Sequence, residues 1–361
     1  MKILLLYTYN QGYLSSFFTE LAQRLSRDGH HVNCFSMKTQ NTIFDDKGVS
    51  FFIAKRGGYL RTYYQVFKII RQIKPDVVLS NFRYVNPALL FGRILGVKKN
   101  IAWFHSLQGQ MEPTKQQVFI KRWFLKLADS MIANSFLTAQ ELQSVYHILP
   151  SRILILPFWS NILERDIDSI SFKLPQSPKV FNIGCPGRFV YHKNQHLVID
   201  VTARLLAIGQ SVHLYLAGDG EERHRLTQHV TSLGIERHVS FLGHLSATDM
   251  PAFYQQMDVI ILPSLHEAFG LVFLEAISMG CPTLVSSSFG ALQFIDQTRY
   301  EIDDLIFNPE DASSLEKCLM PYLNDKGLPG SYFKDLYLHT FNKDIIYQKI
   351  RTFILNPLDY P

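Results

Sequence analysis

The chain has little of what marks stapled, metal-bound or membrane-spanning proteins. Its four cysteines, Cys34, Cys185, Cys281 and Cys318, lie far apart with no C-x-x-C pair, which argues against both a disulfide framework and a zinc knuckle and suits a reducing cytosol. The opening Met1-Lys-Ile-Leu-Leu-Leu-Tyr7 resembles a signal peptide only briefly. Asn10 and Gln11 interrupt it far short of the roughly 18 apolar residues that a span requires, so a buried first strand is expected instead. No later run is long enough to cross a membrane, and neither a solenoid repeat nor a low-complexity tract is present.

What the chain does have is apolar bulk and an uneven charge. In 361 residues, 47% are hydrophobic and 13% aromatic, enough to fill two ordinary cores rather than one compact domain. The net charge of +5 hides two opposed halves: residues 1–165 hold 21 Lys+Arg against 9 Asp+Glu, and residues 166–361 hold 15 against 22. A basic half suits nucleic acid, a phosphorylated substrate or an anionic lipid surface. No nucleic-acid motif accompanies the charge, so no nucleic-acid partner is expected.

Apolar runs alternate with amphipathic helical patterns through both halves, the grammar of parallel sheets covered by helices. Strands are expected near 2–7, 31–36, 76–80, 100–104, 130–133 and 153–156, and again near 180–183, 212–217, 238–241, 258–262 and 282–285. Helices are expected near 14–28, 59–73, 87–95, 115–128 and 137–145, then near 194–208, 221–233, 248–256, 271–279 and 311–323. Asp166–Lys179, with Pro175 and Pro178, reads as a linker. The expected class is therefore α/β, with two doubly wound Rossmann-like domains at 1–165 and 166–339 and ligands at the carboxyl ends of their strands. In the last segment, Phe341, Ile345, Ile346, Ile350 and Phe353 are spaced to cover one helical face.

The most informative stretch is Glu267-Ala-Phe-Gly-Leu-Val-Phe-Leu-Glu275, entered from Val259-Ile-Ile-Leu-Pro263. It sets two carboxylates either side of a helix start led by Gly270, and such a start offers unpaired backbone N–H groups to an anion. A nucleotide-sugar carries both phosphate for the amides and hydroxyls for the acids. Upstream, Gly184-Cys-Pro-Gly187-Arg188-Phe-Val-Tyr-His-Lys193-Asn puts two cations on the loop after a strand. Arginine can fork two phosphate oxygens, and lysine supplies a point charge.

The order of these motifs, with Ala217-Gly-Asp-Gly220, Phe241-Leu-Gly243 and Pro263-Ser264 between them, resembles the nucleotide-sugar half of the retaining GT-B glycosyltransferases of family 4. The resemblance is specific over about 180–320 and looser in the first half. It implies a GT-B architecture, two Rossmann-like domains facing a central cleft, with the last helix, 340–361, packing back on the first. It further implies that Arg188 and Lys193 hold the donor diphosphate, Glu267 meets donor-sugar hydroxyls and Glu275 the ribose. The amides around Phe269, Gly270, Leu271 and Val272, with Gly187, would complete the donor site, and Phe241 and Gly243 would line the base pocket. Gly218 and Gly220 stand open between turn glycines and ligand contacts. No metal and no further cofactor are implied.

In the first half, Ile101-Ala-Trp-Phe-His105 is an apolar strand ending in a histidine, and His105 corresponds to the family's active-site histidine. It would contact the donor sugar or orient the reacting groups. Where many relatives have a Gly-Gly pair, Thr8-Tyr-Asn-Gln-Gly12-Tyr13 has one glycine; Gly12 would bring backbone near the donor phosphate or the acceptor. Pro157-Phe-Trp-Ser-Asn161 and Phe289-Gly-Ala-Leu-Gln293 also depart from the family pattern, which leaves acceptor identity and fine donor contacts open.

Cations interleave with apolar residues in 55–74 and again in Lys121-Arg-Trp-Phe-Leu-Lys126, a pattern suited to a helix on anionic lipid or to a solvated basic face. The expectation is a peripheral protein of the inner membrane face that moves a hexose or N-acetylhexosamine, UDP-linked by preference, to a sugar or lipid-linked acceptor. A nucleotide-sugar epimerase of the same architecture and a non-catalytic partner subunit are the alternatives.

Overall fold

The computed structural model describes residues 1–10, 12–105, 114–162 and 180–355. The expected linker, 166–179, lies outside them. The chain divides into two compact units, one of Met1–Phe158 with Lys343–Pro361 and the other of Trp159–Asn342.

The first unit begins with β1 (Lys2–Leu6), α1 (Tyr13–Arg27), β2 (His31–Lys38), β3 (Thr42–Asp46), β4 (Val49–Lys55) and α2 (Tyr59–Ile73). It continues through β5 (Val77–Asn81), α3 (Val85–Ile94), β6 (Lys99–Phe104), α4 (Lys115–Leu125), β7 (Ser130–Ala133), α5 (Phe136–Ser144) and β8 (Ile153–Ile155). The eight strands lie in the order β3-β4-β2-β1-β5-β6-β7-β8. Every pairing is parallel except β3 with β4. Strands β5, β6 and β7 are buried at every position, as parallel strands covered on both faces must be. Helix α1 turns Phe17, Phe18, Leu21 and Leu25 inward. Trp103 of β6 stacks on Phe158 at 5.7 Å and takes Phe17 and Phe18 edge-on at 5.5 and 5.1 Å, geometries that suit the aromatic quadrupole.

The hairpin of β3 and β4 is not among the elements expected from the sequence. Lys47 (φ 47°) and Gly48 (φ 79°) form its two-residue turn with both φ angles positive, the form whose twist matches antiparallel strands. Strand β3 is a half-exposed edge with two aspartates, so it leaves no apolar run to read.

The second unit contains β9 (Phe181–Pro186), α6 (Gln195–Ala207), β10 (Val212–Ala217), α7 (Arg223–Ser232), β11 (Val239–Gly243), α8 (Met250–Gln255) and β12 (Val259–Leu262). There follow α9 (Leu271–Ser278), β13 (Thr283–Ser286), β14 (Ile306–Phe307), α10 (Ala312–Leu323) and α11 (Gly330–Thr340). Its six parallel strands run β11-β10-β9-β12-β13-β14. The chain winds outward from β9 in one direction and then from β12 in the other. The order therefore reverses between β9 and β12, the switch point at which doubly wound sheets leave a crevice.

The last helix, α12 (Lys343–Leu355), belongs to the first unit. Arg24 pairs with Asp344 at 2.7 Å, the Tyr347 hydroxyl and Arg351 both donate to Asp28, and the buried Lys99 ammonium donates to the Phe353 carbonyl. Its buried face is Ile346, Tyr347, Ile350, Phe353 and Ile354, while Ile345 is exposed. Phe341 lies before the helix and packs on Phe269 of the second unit at 6.1 Å. The expected stripe is thus offset: Phe341 serves another core, and Tyr347 and Ile354 take the places given to Phe341 and Ile345.

Candidate functional site

Strand β9 ends at Pro186, and the loop after it is fastened from three sides. The Gly187 amide donates to the Ala217 carbonyl at 2.9 Å, Phe189 to the Asp219 carbonyl at 3.0 Å, and Glu222 returns a bond to the Phe189 carbonyl at 2.9 Å. This close approach requires the Ala217-Gly-Asp-Gly220 motif. A Cβ on Gly218 would sit 1.9 Å from the Gly187 carbonyl oxygen, and one on Gly220 2.3 Å from that of Phe189. Gly218 and Gly220 therefore let one loop lie on the backbone of the other. Buried Gln195 adds a bond from its Nε2 to the Arg188 carbonyl at 3.1 Å. Arg188 itself projects into solvent from this fixed backbone.

The loop then turns at Asn194, whose left-handed backbone (φ 54°, ψ 36°) starts α6. Its side-chain amide donates to the carbonyls of Pro263 at 3.3 Å and Pro309 at 2.8 Å, and the Leu265 amide donates to the His192 carbonyl at 2.8 Å. These bonds cross the switch point from β9 to β12. They bring Lys193 onto Glu267, and the two form an ion pair with only 19% and 13% of their side chains exposed. Together with Pro186, Ser264, Val272 and Phe289 they line a recess of about 270 Å³, measured with its open mouth.

Glu267 leads into the start of α9. The segment pairs with the one after β13: Gly290 donates to the Glu267 carbonyl at 3.1 Å and Ala291 to the Phe269 carbonyl at 2.9 Å. Gly270 is the N-cap, with φ 103° and no side-chain cap, so the first-turn amides of Leu271 and Val272 lack a capping side chain. The Phe269 ring is turned away, buried against Phe294 and Phe341, which leaves only its backbone for a ligand.

Glu275, on α9, is 2% exposed and accepts a 2.9 Å hydrogen bond from the Tyr254 hydroxyl of α8. Half-buried Phe241 takes the Arg223 guanidinium over its face at 5.2 Å and stands edge-on to Phe189 at 6.1 Å; Gly243 accepts the Gly218 amide at 2.8 Å. The second unit thus gathers Lys193, Glu267 and Val272 in one recess. It sets Arg188 on the adjoining loop, with Phe241 beside that loop's Phe189, and buries Glu275.

Four contributors are not among the residues expected from the sequence: Gln195, Asn194, Tyr254 and His192. The first three act through hydrogen bonds that no motif announces. His192 has its proton affinity lowered by burial first and then by the Lys193 and Arg188 cations. Burial pushes the neighbouring Cys185 thiol up to about 12, so it remains a protonated core group.

His105 lies in the first unit at the carboxyl end of β6, half-buried, with Phe82 edge-on at 4.0 Å and Phe158 at 6.3 Å. Its Nε2 has no hydrogen-bond partner among the described residues, and burial lowers its pKa to about 3. The imidazole is neutral near pH 7 and can exchange a hydrogen bond without taking up a proton. Gly12 caps α1, its amide held by the Asn10 side chain at 2.8 Å.

The two basic stretches divide between core and solvent. Thr62, Val66, Ile69 and Ile70 of α2 face inward, while Tyr59, Leu60 and Tyr64 are exposed. On α4, Phe119, Ile120 and Trp123 are exposed and Leu125 is buried. Lys121, expected on the lipid-facing side, instead lies over Phe104 at 4.3 Å and Tyr146 at 5.3 Å, and burial lowers its pKa to about 8. Among the described residues there is no group of three or more His, Cys, Asp or Glu arranged to hold a metal. The sequence was expected to lack an Asp-x-Asp, but it has one, Asp166-Ile-Asp168, which lies outside the described residues.

Two Rossmann-like units, each built on a largely parallel sheet covered by helices, are the architecture of the GT-B glycosyltransferases. Residues 166–333 match the family described as Glycosyl transferases group 1, and residues 14–158 match Glycosyltransferase Family 4. The chain belongs to glycosyltransferase family 4.

It is 29% identical over 163 residues to an uncharacterised glycosyltransferase of Methanocaldococcus jannaschii, covering 45% of this chain and 39% of that one. It is 34% identical over 142 residues to the lipopolysaccharide core biosynthesis glycosyltransferase LpsE of Rhizobium meliloti, covering 39% of each. These matches span well under half of either relative's length. Anabaena HepE, solved in complex with UDP-glucose, superposes with a TM-score of 0.76 at 18% identity, covering 98% of this chain and 99% of that one; that likeness speaks to the fold alone.

Proposed function

We propose that the chain is a retaining, metal-independent glycosyltransferase that moves a hexose or N-acetylhexosamine from a nucleotide-diphosphate sugar to a sugar or lipid-linked acceptor. The observation that carries this reading is the Lys193–Glu267 pair at the switch point, set beside the uncapped start of α9. In this reading Lys193 and Arg188 take the diphosphate, and the amides of Leu271 and Val272 share its charge. Glu267 is released to the sugar hydroxyls, and Glu275, already aligned by Tyr254, takes the ribose.

The acceptor hydroxyl attacks the anomeric carbon as the bond to the leaving phosphate breaks, on the same face of the sugar, and the proton passes to a phosphate oxygen. The protein then contributes positioning and charge stabilisation rather than a nucleophile. A low pKa suits His105 to orienting a hydroxyl, not to accepting its proton.

UDP is the nucleotide proposed for this chain, the one with which the fold neighbour HepE was solved. Ligand binding to the native state raises apparent stability, so a thermal-shift screen should show a larger rise with a UDP-sugar than with a GDP-sugar. Analysis of the product anomer should then show retention. An inverted anomer, or a sugar epimer with no transfer, would refute the reading.

The same proposal includes contact with an anionic membrane surface. No helix among the described residues is long and apolar enough to cross a bilayer. Tyr59, Leu60 and Tyr64 of α2, with Phe119, Ile120 and Trp123 of α4, are exposed in one region, joined through Tyr63 and Phe124 at 6.3 Å. Such apolar side chains among cations suit shallow insertion between lipid headgroups. Leu60→Ser with Trp123→Ser should weaken partition onto phosphatidylglycerol vesicles several-fold; unchanged partition would remove this part of the proposal.

A further inference from the structure

Among the described residues of the first unit, the carboxylates beside the sheet stand at the amino ends of its parallel strands, where cations such as Lys2, Lys98 and Lys99 also lie. Asp28, Asp45, Asp46, Asp76 and Asp129 stand at the amino ends of the parallel strands, and three of them already hold cations: Asp76 takes Lys98, Asp129 takes Arg93 and Asp28 takes Arg351. The carboxyl ends carry cations and, among the described residues, no carboxylate. Lys38 closes β2 and Lys55 closes β4, Arg56 follows at once, Arg61 stands in the first turn of α2, and Arg83 comes just past β5.

Contacts knit these five cations into one surface. Lys38 and Lys55 are register partners on adjacent strands. A Cβ on Gly57 would fall 2.3 Å from Cδ of Arg61, so the Arg61 stem lies along the loop that carries Arg56. Arg83 donates to Thr62 Oγ1 at 3.2 Å, beside Arg61, and the Met37 amide donates to the Tyr84 hydroxyl at 2.9 Å, which pins the Arg83 segment next to Lys38. The Lys38 ammonium is held over the Tyr9 ring at 4.6 Å.

All five side chains are exposed, and none forms an ion pair among the described residues. Like charges opposite one another on neighbouring strands repel. A cation in the first turn of a helix opposes the helix dipole, and α2 has Arg61 there with no acidic residue and no side-chain cap. A surface that keeps such charges uncompensated is arranged for an anion. Three guanidinium forks with two ammonium groups match the oxygens of a phosphate or diphosphate. The surface shares the carboxyl edge of its sheet with His105, the edge at which doubly wound sheets bind ligands.

We infer that Lys38, Lys55, Arg56, Arg61 and Arg83 hold a phosphate or diphosphate group of the acceptor. This rests on the transferase reading above. The group can arrive on a soluble sugar phosphate or on a lipid-linked sugar diphosphate, which present the same oxygens.

The test uses the full chain carrying Arg188→Ala and Lys193→Ala, so that the donor loop does not report, and measures inorganic diphosphate, glucose 1-phosphate and glucose by titration calorimetry. Diphosphate and glucose 1-phosphate should bind and glucose should not. Adding Lys55→Gln with Arg56→Gln, or Arg83→Gln, should weaken diphosphate roughly ten-fold or more, the scale of one charge-assisted hydrogen bond. Vesicles of phosphatidylglycerol against phosphatidylcholine form the second arm. Loss of diphosphate binding together with loss of vesicle partition supports a lipid-linked acceptor; loss of diphosphate binding alone supports a soluble one.

Absence of diphosphate binding, or variants that shed vesicles with unchanged diphosphate affinity, would overturn the inference. UDP binding by the same first-unit variants with Arg188 and Lys193 intact shows that they fold. Failure of UDP to bind the unaltered chain would count against the donor reading instead.

Discussion

Lys193→Ala is expected to lower sugar transfer by roughly 10²–10³-fold, the range seen when one preorganised group that stabilises developing charge is removed. The ammonium sits at the switch point of the second sheet, largely shielded, with Glu267 as its partner. Shielding strengthens its pull on a leaving diphosphate, and Arg188, exposed on the same loop, holds that group with a charge more screened by water. The same change strands Glu267 as a shielded, uncompensated carboxylate, so a fall in stability of up to about 3–5 kcal/mol accompanies it. Two measurements separate these effects. Adding Glu267→Gln should restore much of the urea midpoint without restoring turnover. If the single variant keeps turnover within about ten-fold of the parent, Lys193 does not hold the diphosphate.

Gly270→Ala should cost roughly 2–4 kcal/mol of unfolding free energy, from two sources of similar size. The backbone at φ 103°, ψ 66° is one that L-residues reach only under strain. The new methyl would lie 2.4 Å from Cδ1 of Phe289, an overpacking that forces the ring or the segment to shift. The segment after Phe289 is tied to the one before α9 through the Gly290 and Ala291 amides. The start of α9 must therefore shift too, and affinity for a UDP-sugar should fall with stability. Phe289→Leu in the same chain should relieve the contact while leaving the strain in φ, recovering part of the loss. A change below about 0.5 kcal/mol by urea unfolding, the scale of an ordinary surface substitution, would contradict the left-handed turn at Gly270.

Much of the architecture is legible because parallel sheets write themselves into sequence. Strands buried on both faces need unbroken apolar runs, and Ile3–Leu6 and Val259–Leu262 are runs of that kind. Elements with a weak signal escape: the exposed edge strand β3, the two-residue β14, and α11, whose inward set is only Phe333, Leu336 and Tyr337; β4 is missed although Phe51-Phe-Ile-Ala54 is an apolar run. The residues of the candidate donor site are likewise readable as a motif order, since turn glycines, a basic loop and a helix start are local features.

The succession of strands and helices, and the chemistry offered at each turn, are therefore properties of the sequence. Which of those turns meet is a property of the packing. Lys193 reaches Glu267 across 74 positions because β9 and β12 are neighbours; Tyr254 of α8 reaches Glu275 of α9 across 21 positions. Lys38 and Lys55 become partners because β2 lies beside β4. Periodicity and turn preference act over a few residues. Strand order is chosen by the burial of whole faces, and only that choice turns separate cations and carboxylates into sites.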